Sequence, residues 1–587
     1  MTARSVIPSR RPAGASQERS ARPGRFSLLL GVFLLAFTVI SGRLAYVHMV
    51  KGPEYAAAAA EQRTRDLAIS PQRGFILDRE NEVLAESIEA RSIYAVPSAV
   101  ADKAGTARAL ADTLGGAEAD YLAKLSKDTS FVYLARKVDV GAAQRVKDLG
   151  IAGLGFLEDS KRLYPSNELA CQVLGFVGVD DQGLSGVELY YEKLLAGVPG
   201  RLIGERDSSG RVTIPGAVTF QEDPVDGQDI VLTIDKDIQY QTQMALDEAV
   251  EKWGAKGGSV VIMDPTNGEI LAMASSPAFN PNRFGEATEA AYRNSPVVDT
   301  YEPGSTIKSF TAAAVIDSEL YGPSSMFRLP PTIRVGGRTI HESHPRATVE
   351  WSLTEIVTNS SNVGAVKLGQ ALGEEGLYEY FSRFGLTRKT GVDFPGEATG
   401  WLPPTDQWSA SSIATIPFGQ GISVTTLQLS RALAVIANGG ELVTPHFLQR
   451  LPDDPGAEPV WPKERSIDAS ACAAMRTVLT DVVNEGTGSE AAVDGYQVAG
   501  KTGTAQKART DGRAGYASGK YVASFSGFLP AGDPRVLIVV CIDEPSNAIY
   551  GGTVAAPTFS RLAAYCVDHL KIPPGPAVTG ASQPATP

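Results

Sequence analysis

The stretch "YEPGSTIKSF", residues 301–310, places Ser305 and Lys308 three positions apart, directly behind a Pro303-Gly304 turn. Three residues is almost one helical turn, so the two side chains lie on one face and within mutual reach. The apolar run "FTAAAVI" that continues the stretch predicts a helix beginning at the serine. Ser305 is therefore a candidate nucleophile, although serine is also a common helix cap and lysine a common surface residue of helices.

Two more short motifs follow along the chain, Ser360-Ser361-Asn362 and Lys501-Thr502-Gly503, and Thr504 comes directly after the second. The first of them lies inside the long amphipathic stretch "SLTEIVTNSSNVGAVKLGQAL", which begins at Ser352 and predicts a helix. Each is weak alone, because serine and asparagine also occur at helix irregularities and Lys-Gly pairs are frequent in turns. Taken in order, at a helix start, in a helical segment and on a late strand, the three motifs resemble those of penicillin-binding proteins and class A β-lactamases.

Longer stretches extend this resemblance to the class B penicillin-binding proteins, and it is strongest for the cell-division peptidoglycan transpeptidases. They are "RGFILDRENEVLA" (73–85), "RLYPSNELACQVLGFVGVDDQGLSGVELYYEKLLAG" (162–197), "IMDPTNGEILAMASSPAFNPN" (262–282), "FGQGISVTTLQL" (418–429) and "YGGTVAAPTF" (550–559). One motif departs from the family, in which Asp-Arg-Asn-Gly is usual, because the chain has Asp78-Arg79-Glu80-Asn81 there. The catalytic motifs are intact.

The resemblance implies cleavage of a peptide that ends in D-Ala-D-Ala by a serine nucleophile, Ser305. A hydroxyl needs a base, and Lys308 stands where the family has one. An exposed lysine is protonated at neutral pH, but desolvation and a second cation both lower its pKa. In the family fold Lys501 supplies that cation.

The other motif residues take their expected roles from the same resemblance. Ser360 relays protons to the departing D-Ala amine, and Asn362 binds the substrate amide and steadies Lys308. The terminal carboxylate is bound by Lys501, Thr502, Gly503 and Thr504. The backbone amides of Ser305 and Thr504 form the oxyanion hole, a role that suits a helix start and a strand edge. No cofactor and no metal are expected.

Three classes of function compete for this set: a transpeptidase, a hydrolase of the same fold (D,D-carboxypeptidase or β-lactamase), and a non-catalytic scaffold or β-lactam sensor. Between Asn362 and Lys501 there is no Glu-x-x-Leu-Asn element of the class A β-lactamase type. An intact catalytic set disfavours the scaffold. We therefore expect a transpeptidase that acts in septal wall synthesis, with elongation or sporulation as the alternative roles.

The length of 587 residues and the 43% apolar, 20% charged composition indicate several globular domains. Two early strand-like runs, "GSVVIMD" (258–264) and "EILAMAS" (269–275), and three late ones, "YQVAGKTGTAQ" (496–506), "KYVASFSGFLP" (520–530) and "RVLIVVCIDE" (535–544), indicate one sheet with helices on its faces. We expect an α+β multi-domain chain whose catalytic domain is a five-stranded antiparallel sheet flanked by helices, as in the family. The predicted divisions are a basic cytoplasmic tail (1–25), a transmembrane anchor (26–50), a mixed α/β non-catalytic pedestal of the dimerisation type (51–225), a penicillin-binding transpeptidase domain (226–571) and a disordered tail (572–587).

The anchor prediction rests on "FSLLLGVFLLAFTVISG", residues 26–42, which carries no charge and rises about 26 Å as a helix. The six arginines before it predict a cytoplasmic N-terminus, with the rest of the chain outside the cell membrane. The small-residue run "AAAAA", 56–60, resembles a signal-peptide cleavage site but lies too far past the apolar run.

The charge of the chain and the motifs missing from the predicted pedestal limit the partners that we expect. Residues 26–587 hold 48 basic and 65 acidic side chains, which argues against nucleic acid. The pedestal lacks recognisable glycosyltransferase signatures, so we expect glycan polymerisation to belong to a membrane-embedded partner, alongside other division proteins. Peptidoglycan stem peptides are the expected substrate, and β-lactams the expected inhibitors.

Cysteine and histidine offer weaker alternatives. Cys541 and Cys566 lie in apolar runs, typical of buried free thiols, although a disulfide between them is chemically allowed outside the cytoplasm. "HESH" places His341 and His344 three apart, which raises the question of zinc, but two histidines rarely suffice. The preferred interpretation of "HESH" is a loop after the nucleophile helix.

Overall fold

The computed structural model describes residues 23–56, 64–205, 218–457, 459–509, 515–578 and 580. Most of the predicted basic tail, part of the "AAAAA" run, part of the Gly-, Asp- and Pro-rich linker predicted at 204–228, and most of the last ten residues lie outside the described residues. The chain divides into two compact units: residues 1–69 with 199–223, and residues 70–198 with 224–587.

The first unit contains the predicted anchor. An apolar helix covers Gly24–Ala56, 33 residues, with a mean hydropathy of 2.1 in its most apolar window. It consists of the α-helix Pro23–Tyr46, the π-helical turn Val47–Lys51 and a further helical stretch. Among the described residues it is the one helix long and apolar enough to cross a membrane. The same unit holds a three-stranded antiparallel sheet, in the order Thr64–Ile69, Gly200–Glu205, Val218–Glu222.

The second unit begins with a mixed α/β region, as predicted for the pedestal. Its long strand Val83–Ala95 pairs antiparallel with both Val132–Asp139 and Leu154–Leu163. The helices that accompany these strands are Lys103–Leu114, Glu118–Leu125 and Val140–Asp148. A small core joins strands and helices through Ile93, Leu110, Leu134 and Val146.

The sheet of this region continues past the predicted domain boundary. Strand Ile76–Leu77 pairs in parallel with Ile230–Leu232, and that strand pairs with Leu448–Arg450. Residues on both sides of the predicted boundary therefore share one sheet, and residues 70–198 and 224–587 belong to one compact unit.

The unusual Asp-Arg-Glu-Asn motif forms a tight turn. Asp78 accepts hydrogen bonds from the backbone amides of Glu80 and Glu82, at 2.9 and 2.8 Å. Asn81 adopts a left-handed backbone, with φ of 67°. Asparagine tolerates that conformation better than most side chains, so it can replace the family's glycine here.

A buried ion cluster holds the start of the second unit together. Glu188 is fully buried, and its two carboxylate oxygens accept from Arg73 Nε at 2.6 Å and Arg162 Nε at 2.7 Å. The Tyr164 hydroxyl donates to the same carboxylate at 3.2 Å. Burial alone would raise the pKa of Glu188, but the two guanidinium groups outweigh it and hold the pKa below its ordinary value.

The predicted five-stranded antiparallel sheet is confirmed. Its strands lie in the order Ile270–Ser276, Gly257–Met263, Val536–Asp543, Tyr516–Leu529 and Ala499–Ala508, and every neighbouring pair is antiparallel. Two early and three late stretches of sequence therefore build one sheet, as the apolar runs indicated.

Alternate residues of a strand point to opposite faces of a sheet, and each face of this sheet packs into its own core. Val260 and Ile262 pack in one core with the helices Lys236–Trp253 and Ala556–His569. Val261 and Met263 point the other way. Their core includes residues of the helices Ile307–Asp317, Thr426–Ala437 and Ala469–Asn484.

The described residues also form further α-helices and two-stranded pairs. Further helices are Cys171–Leu174, Gly186–Tyr190, Glu192–Leu195, Ser295–Val298, Leu353–Thr358, Asn362–Arg383 and Gly551–Val554. Two-stranded antiparallel pairs join Thr300–Tyr301 to Val424–Thr425, Met326–Leu329 to Val349–Ser352, Thr332–Val335 to Arg338–His341, and Glu441–Leu442 to Glu464–Arg465.

The cysteines are buried and free, as the preferred interpretation predicted. Cys541 belongs to the core on one face of the sheet and Cys566 to the core on the other face. The sheet itself therefore separates the two thiols that a disulfide would have to join.

Candidate active site

Ser305 lies in a short 3₁₀ turn, Gly304–Thr306, and the α-helix begins only at Ile307. The sequence predicted an α-helix starting at the serine itself. The difference comes from Gly304, whose left-handed backbone, with φ of 58°, bends the chain sharply before the serine. The Gly304 amide donates to the carbonyl of Gly419 at 3.2 Å, which fixes this turn against a neighbouring loop.

Lys308 follows within the first turn of that helix and is 1% exposed. Its Nζ lies 2.5 Å from the carbonyl oxygen of Ser360, 3.2 Å from Ser360 Oγ and 2.8 Å from Asn362 Oδ1. The Ser-x-x-Lys and Ser-x-Asn motifs therefore meet at one nitrogen atom, as the resemblance implied.

The Ser-x-Asn motif interrupts the helix that the sequence predicted from residue 352 onward. One helix ends at Thr358, and the next begins at Asn362 with the Ser361 hydroxyl accepting from the Gly364 amide at 2.9 Å. Between them Ser360 has a φ of 54°, a left-handed backbone that costs a non-glycine residue about 1–2 kcal/mol. The break turns the Ser360 carbonyl and hydroxyl toward Lys308.

The third motif lies on the strand Ala499–Ala508, an edge strand of the five-stranded sheet. Gly503 allows this strand to approach the serine turn. A Cβ atom there would lie 2.3 Å from Ser524 Oγ, 3.0 Å from the Pro303 carbonyl oxygen and 3.1 Å from Thr306 Cγ2. The unpaired edge of the strand thus faces the turn that carries Ser305, where backbone N–H groups are available to a ligand.

Hydroxyl groups surround the second lysine. Lys501 is 1% exposed, and its Nζ lies 3.2 Å from Thr502 Oγ1 and 3.4 Å from Thr487 Oγ1. The two threonine hydroxyls hydrogen-bond each other at 2.9 Å. Thr504 Oγ1 accepts from the Gly551 amide at 3.0 Å. A cation and several hydroxyls on one strand form a suitable receptor for a carboxylate.

Burial changes the acid–base properties of both lysines. The pKa of Lys308 lies well below its ordinary value, first because the ammonium form is desolvated and then because Lys501 is nearby, while Glu342 partly opposes the fall. Desolvation lowers the pKa of Lys501 to about 7. Both shifts favour the neutral amine, which is the form that a lysine base needs.

These groups face a single open cleft of about 520 Å³. Its lining includes Ser305, Ser360, Asn362, Thr502 and Thr504. The two lysines lie beneath the lining, within contact of the residues that form it. All the predicted site residues thus come together around one volume large enough for a peptide end.

Comparison with known proteins agrees with this geometry. The family described as "penicillin binding protein transpeptidase domain" matches residues 258–564, and "penicillin-binding protein dimerisation domain" matches residues 68–232. The chain belongs to the penicillin-binding protein family.

Full-length relatives match this penicillin-binding protein nearly end to end. Stage V sporulation protein D of Bacillus subtilis is 36% identical over 94% of the chain and 86% of the relative. Peptidoglycan D,D-transpeptidase FtsI of Escherichia coli is 34% identical over 95% of the chain and 93% of the relative. The solved structure of penicillin binding protein 3 from Mycobacterium tuberculosis with aztreonam has a TM-score of 0.69 and 30% identity, and the match covers 88% of the chain and all of that structure.

Sequence reasoning missed several residues that this penicillin-binding protein places at the site. Glu342, inside "HESH", contacts the Ser-x-Asn motif, while Ser343 and His344 line the cleft. Thr487 joins Lys501 and Thr502 from a loop with no motif-like pattern. The proximity of "HESH" to the Ser-x-Asn motif in sequence was the available signal for Glu342.

Glu302 was missed as well. It accepts from the Gly421 amide and from the Tyr516 hydroxyl, both at 2.9 Å. Glu302 therefore links the serine turn to the loop that contains Gly421 and to the strand Tyr516–Leu529, which pairs with the strand that carries Lys501. Its position three residues before Ser305 was visible in the sequence. The partners were not, because they come from distant segments.

Proposed function

We propose that this protein is a serine-type peptidoglycan D,D-transpeptidase, which crosslinks stem peptides ending in D-Ala-D-Ala through an acyl-enzyme on Ser305. The observation that carries the proposal is the buried amine of Lys308, one turn from Ser305 and hydrogen-bonded to both Ser360 and Asn362. A purely structural lysine would have no need of a site that favours its neutral form.

The first half of the reaction breaks an amide and forms an ester. Ser305 Oγ attacks the carbonyl carbon of the penultimate D-Ala while Lys308 Nζ accepts the hydroxyl proton. A neutral amine has two hydrogens and one lone pair, so Nζ can donate to the Ser360 carbonyl and Asn362 Oδ1 and still accept a proton. The tetrahedral oxyanion is stabilised by the backbone amides of Ser305 and Thr504.

Collapse of that intermediate expels the terminal D-Ala. Ser360, 3.2 Å from Lys308 Nζ, passes a proton to the departing amine, and Lys308 returns to its neutral state. The leaving carboxylate is held by Lys501, Thr502 and Thr504, on a strand that Gly503 brings close to the serine turn. With a pKa of about 7, Lys501 is sufficiently protonated near neutral pH to attract an anion.

The second half returns the enzyme. An amine of a neighbouring stem peptide attacks the ester carbon, the new crosslink amide forms, and Ser305 takes back its proton from Lys308. The amine loses its proton through the same Ser360 and Lys308 pair. Water in place of the amine would give a D,D-carboxypeptidase, so the product of the second step separates the two activities.

The decisive experiment uses a penicillin, whose lactam amide mimics D-Ala-D-Ala and acylates the same serine. We expect the soluble portion of the protein to be labelled covalently by a fluorescent penicillin and the Ser305→Ala variant to remain unlabelled. Equal labelling of both would refute the assignment. Incubation with stem peptides and an acceptor amine should give crosslinked dimers in addition to the hydrolysed product. Incubation without the amine should give the hydrolysed product alone.

The cellular role proposed is septal wall synthesis, with a cytoplasmic N-terminus and the catalytic domain outside the membrane. Support comes from the anchor-length apolar helix, from the arginine-rich segment before it and from the resemblance to division enzymes. Recruitment would act through the anchor and the pedestal, which carry no catalytic motif and offer surface to a membrane-embedded glycan polymerase and to other division proteins.

Depletion in the source organism, with imaging of a fluorescent fusion, tests that role. Filamentous cells with the fusion at midcell would support septal synthesis. Rounded cells with a lateral signal would assign the protein to elongation, and a defect confined to spores would assign it to sporulation.

A further inference from the structure

The loop that contains "HESH" packs against the Ser-x-Asn motif through one carboxylate. The side chain of Glu342 is 6% exposed, and both of its oxygens are used. Oε1 accepts from the Ser361 hydroxyl at 2.6 Å, and Oε2 accepts from the Asn362 backbone amide at 2.7 Å. Arg346 forms an ion pair with the same carboxylate. Glu342 therefore holds the backbone at the start of the helix Asn362–Arg383.

The same loop orients the Asn362 side chain. The carbonyl of His341 accepts from Asn362 Nδ2 at 2.9 Å, so the amide must direct its oxygen the other way, to Lys308 Nζ at 2.8 Å. Ser360, directly before the two residues that Glu342 binds, has the unfavourable left-handed backbone. A conformation of that kind persists only when its surroundings impose it, and the bonds from Glu342 supply that restraint.

Glu342 also contributes charge. Lys308 faces two charged groups on other elements, Lys501 on the catalytic strand and Glu342 on this loop, and its direct contacts with Ser360 and Asn362 are neutral. Burial and Lys501 favour the neutral amine, whereas Glu342 favours the ammonium form.

The cation beside Glu342 is held in its own site. The Arg346 guanidinium lies 4.8 Å from the centre of the Trp351 ring and donates to the Leu329 carbonyl at 2.9 Å. Because Arg346 forms an ion pair with Glu342, its positive charge offsets part of the effect of the Glu342 charge on Lys308. His341, the last residue of the strand Arg338–His341, and His344, on the loop after it, flank Glu342 in the sequence, and both are exposed.

We propose that Glu342 is a positioning residue for the transpeptidation proposed above, on which this inference rests: it holds Ser360, Ser361 and Asn362 in their active conformation and balances the charge of Lys501 at Lys308. The segment "HESH", which raised the question of a zinc site in the sequence, then has a different role: it supports the residues that contact Lys308.

The charge contribution gives a test that a merely structural role would not pass. Removing the carboxylate removes the influence that raises the pKa of Lys308, so the neutral base persists to lower pH. Acylation rises with pH as the base loses its proton, and in Glu342→Gln this rise should move to lower pH. The rate on the plateau should fall roughly ten- to a hundredfold, because Ser360 and Asn362 lose their restraint.

Two companion variants separate charge from position. Glu342→Asp keeps the charge but shortens the side chain, so the plateau should fall while the rise stays at the wild-type pH. Arg346→Gln leaves Glu342 unneutralised, and the rise should move to higher pH, opposite to Glu342→Gln. Glu350→Gln, an exposed carboxylate on the strand Val349–Ser352, is the matched control with the same change in charge.

The measurement is the second-order rate constant of acylation by a chromogenic β-lactam, from pH 5.5 to 9.5, on the full-length protein in detergent. An unchanged pH dependence in Glu342→Gln, whatever its rate, overturns the proposal. If Glu342→Gln does not fold, Arg346→Gln decides in the same way. Wild-type protein that takes up no β-lactam at Ser305 would instead overturn the proposed function.

Discussion

Asn362 Oδ1 lies 2.8 Å from Lys308 Nζ, and it is a neutral acceptor facing a buried amine. A neutral acceptor binds either protonation state of the lysine without adding a full charge. A carboxylate at the same place would stabilise the ammonium form strongly in this low-dielectric setting. The amide is therefore the choice that orients Lys308 and leaves it able to accept a proton.

The first prediction concerns the base itself. Lys308→Arg keeps a cation but replaces it by a group that does not lose its proton in proteins. Acylation by penicillin should fall by roughly two to four powers of ten, the range for loss of a general base. Stopped-flow labelling measures the rate, and a melting curve shows that the variant is folded. Acylation at close to the wild-type rate would mean that another group takes the Ser305 proton.

The second prediction changes the neutral acceptor into a charged one. In Asn362→Asp a carboxylate replaces the amide beside Lys308 Nζ, which raises the pKa of Lys308. At pH 7 less of the lysine is neutral, so acylation slows, and part of the rate returns as the pH is raised. Asn362→Ala should also be slow, but without a shift toward alkaline pH. An Asp variant with the wild-type pH dependence would rule out Lys308 as the titrating base.

The sequence predicted which residues lie together at the cleft better than it predicted their local backbone. Ser305 and Lys308 are joined by helical spacing, which is local and can be counted. The sequence predicted a continuous helix through Ser360, since the apolar pattern runs on unbroken, and the structure breaks it there. The left-handed serine depends on contacts with a loop that precedes it, and no local preference announces such contacts.

The fold shows the same division. The five strands of the central sheet were visible as apolar runs because both faces are buried, as the alternation of Val260 and Val261 between two cores illustrates. The restraint by Glu342 was not visible, because a single carboxylate in a polar loop has no pattern. The pairing of Ile76–Leu77 with Ile230–Leu232 was equally hidden, since two-residue strands carry almost no periodicity.

The third prediction tests the close approach of the catalytic strand to the serine turn. A methyl group at Gly503 would meet Ser524 Oγ at 2.3 Å and the Pro303 carbonyl oxygen at 3.0 Å. The hydroxyl can rotate but the backbone carbonyl cannot, so Gly503→Ala should push the strand away from Ser305 and slow acylation by roughly a hundredfold. Gly322→Ala, where a Cβ meets nothing within 4 Å, is the control. Equal rates in the two variants would contradict the close packing.

The fourth prediction concerns stability far from the chemistry. Glu188→Gln leaves Arg73 and Arg162 buried without their counter-charge, so the free energy of unfolding should fall by about 3–5 kcal/mol. Glu192→Gln removes a carboxylate that also contacts Arg73, at 2.7 Å, but is 33% exposed, and it should cost about 1 kcal/mol or less. Because the pKa of Glu188 is depressed in the folded protein, its contribution is complete above the ordinary value of 4.5 and is lost as the pH falls through the folded pKa. Denaturant unfolding of the three proteins at pH 7 and at pH 4 measures both effects. A Glu188 variant as stable as the Glu192 variant at pH 7 would show that the buried cluster does not hold this region together.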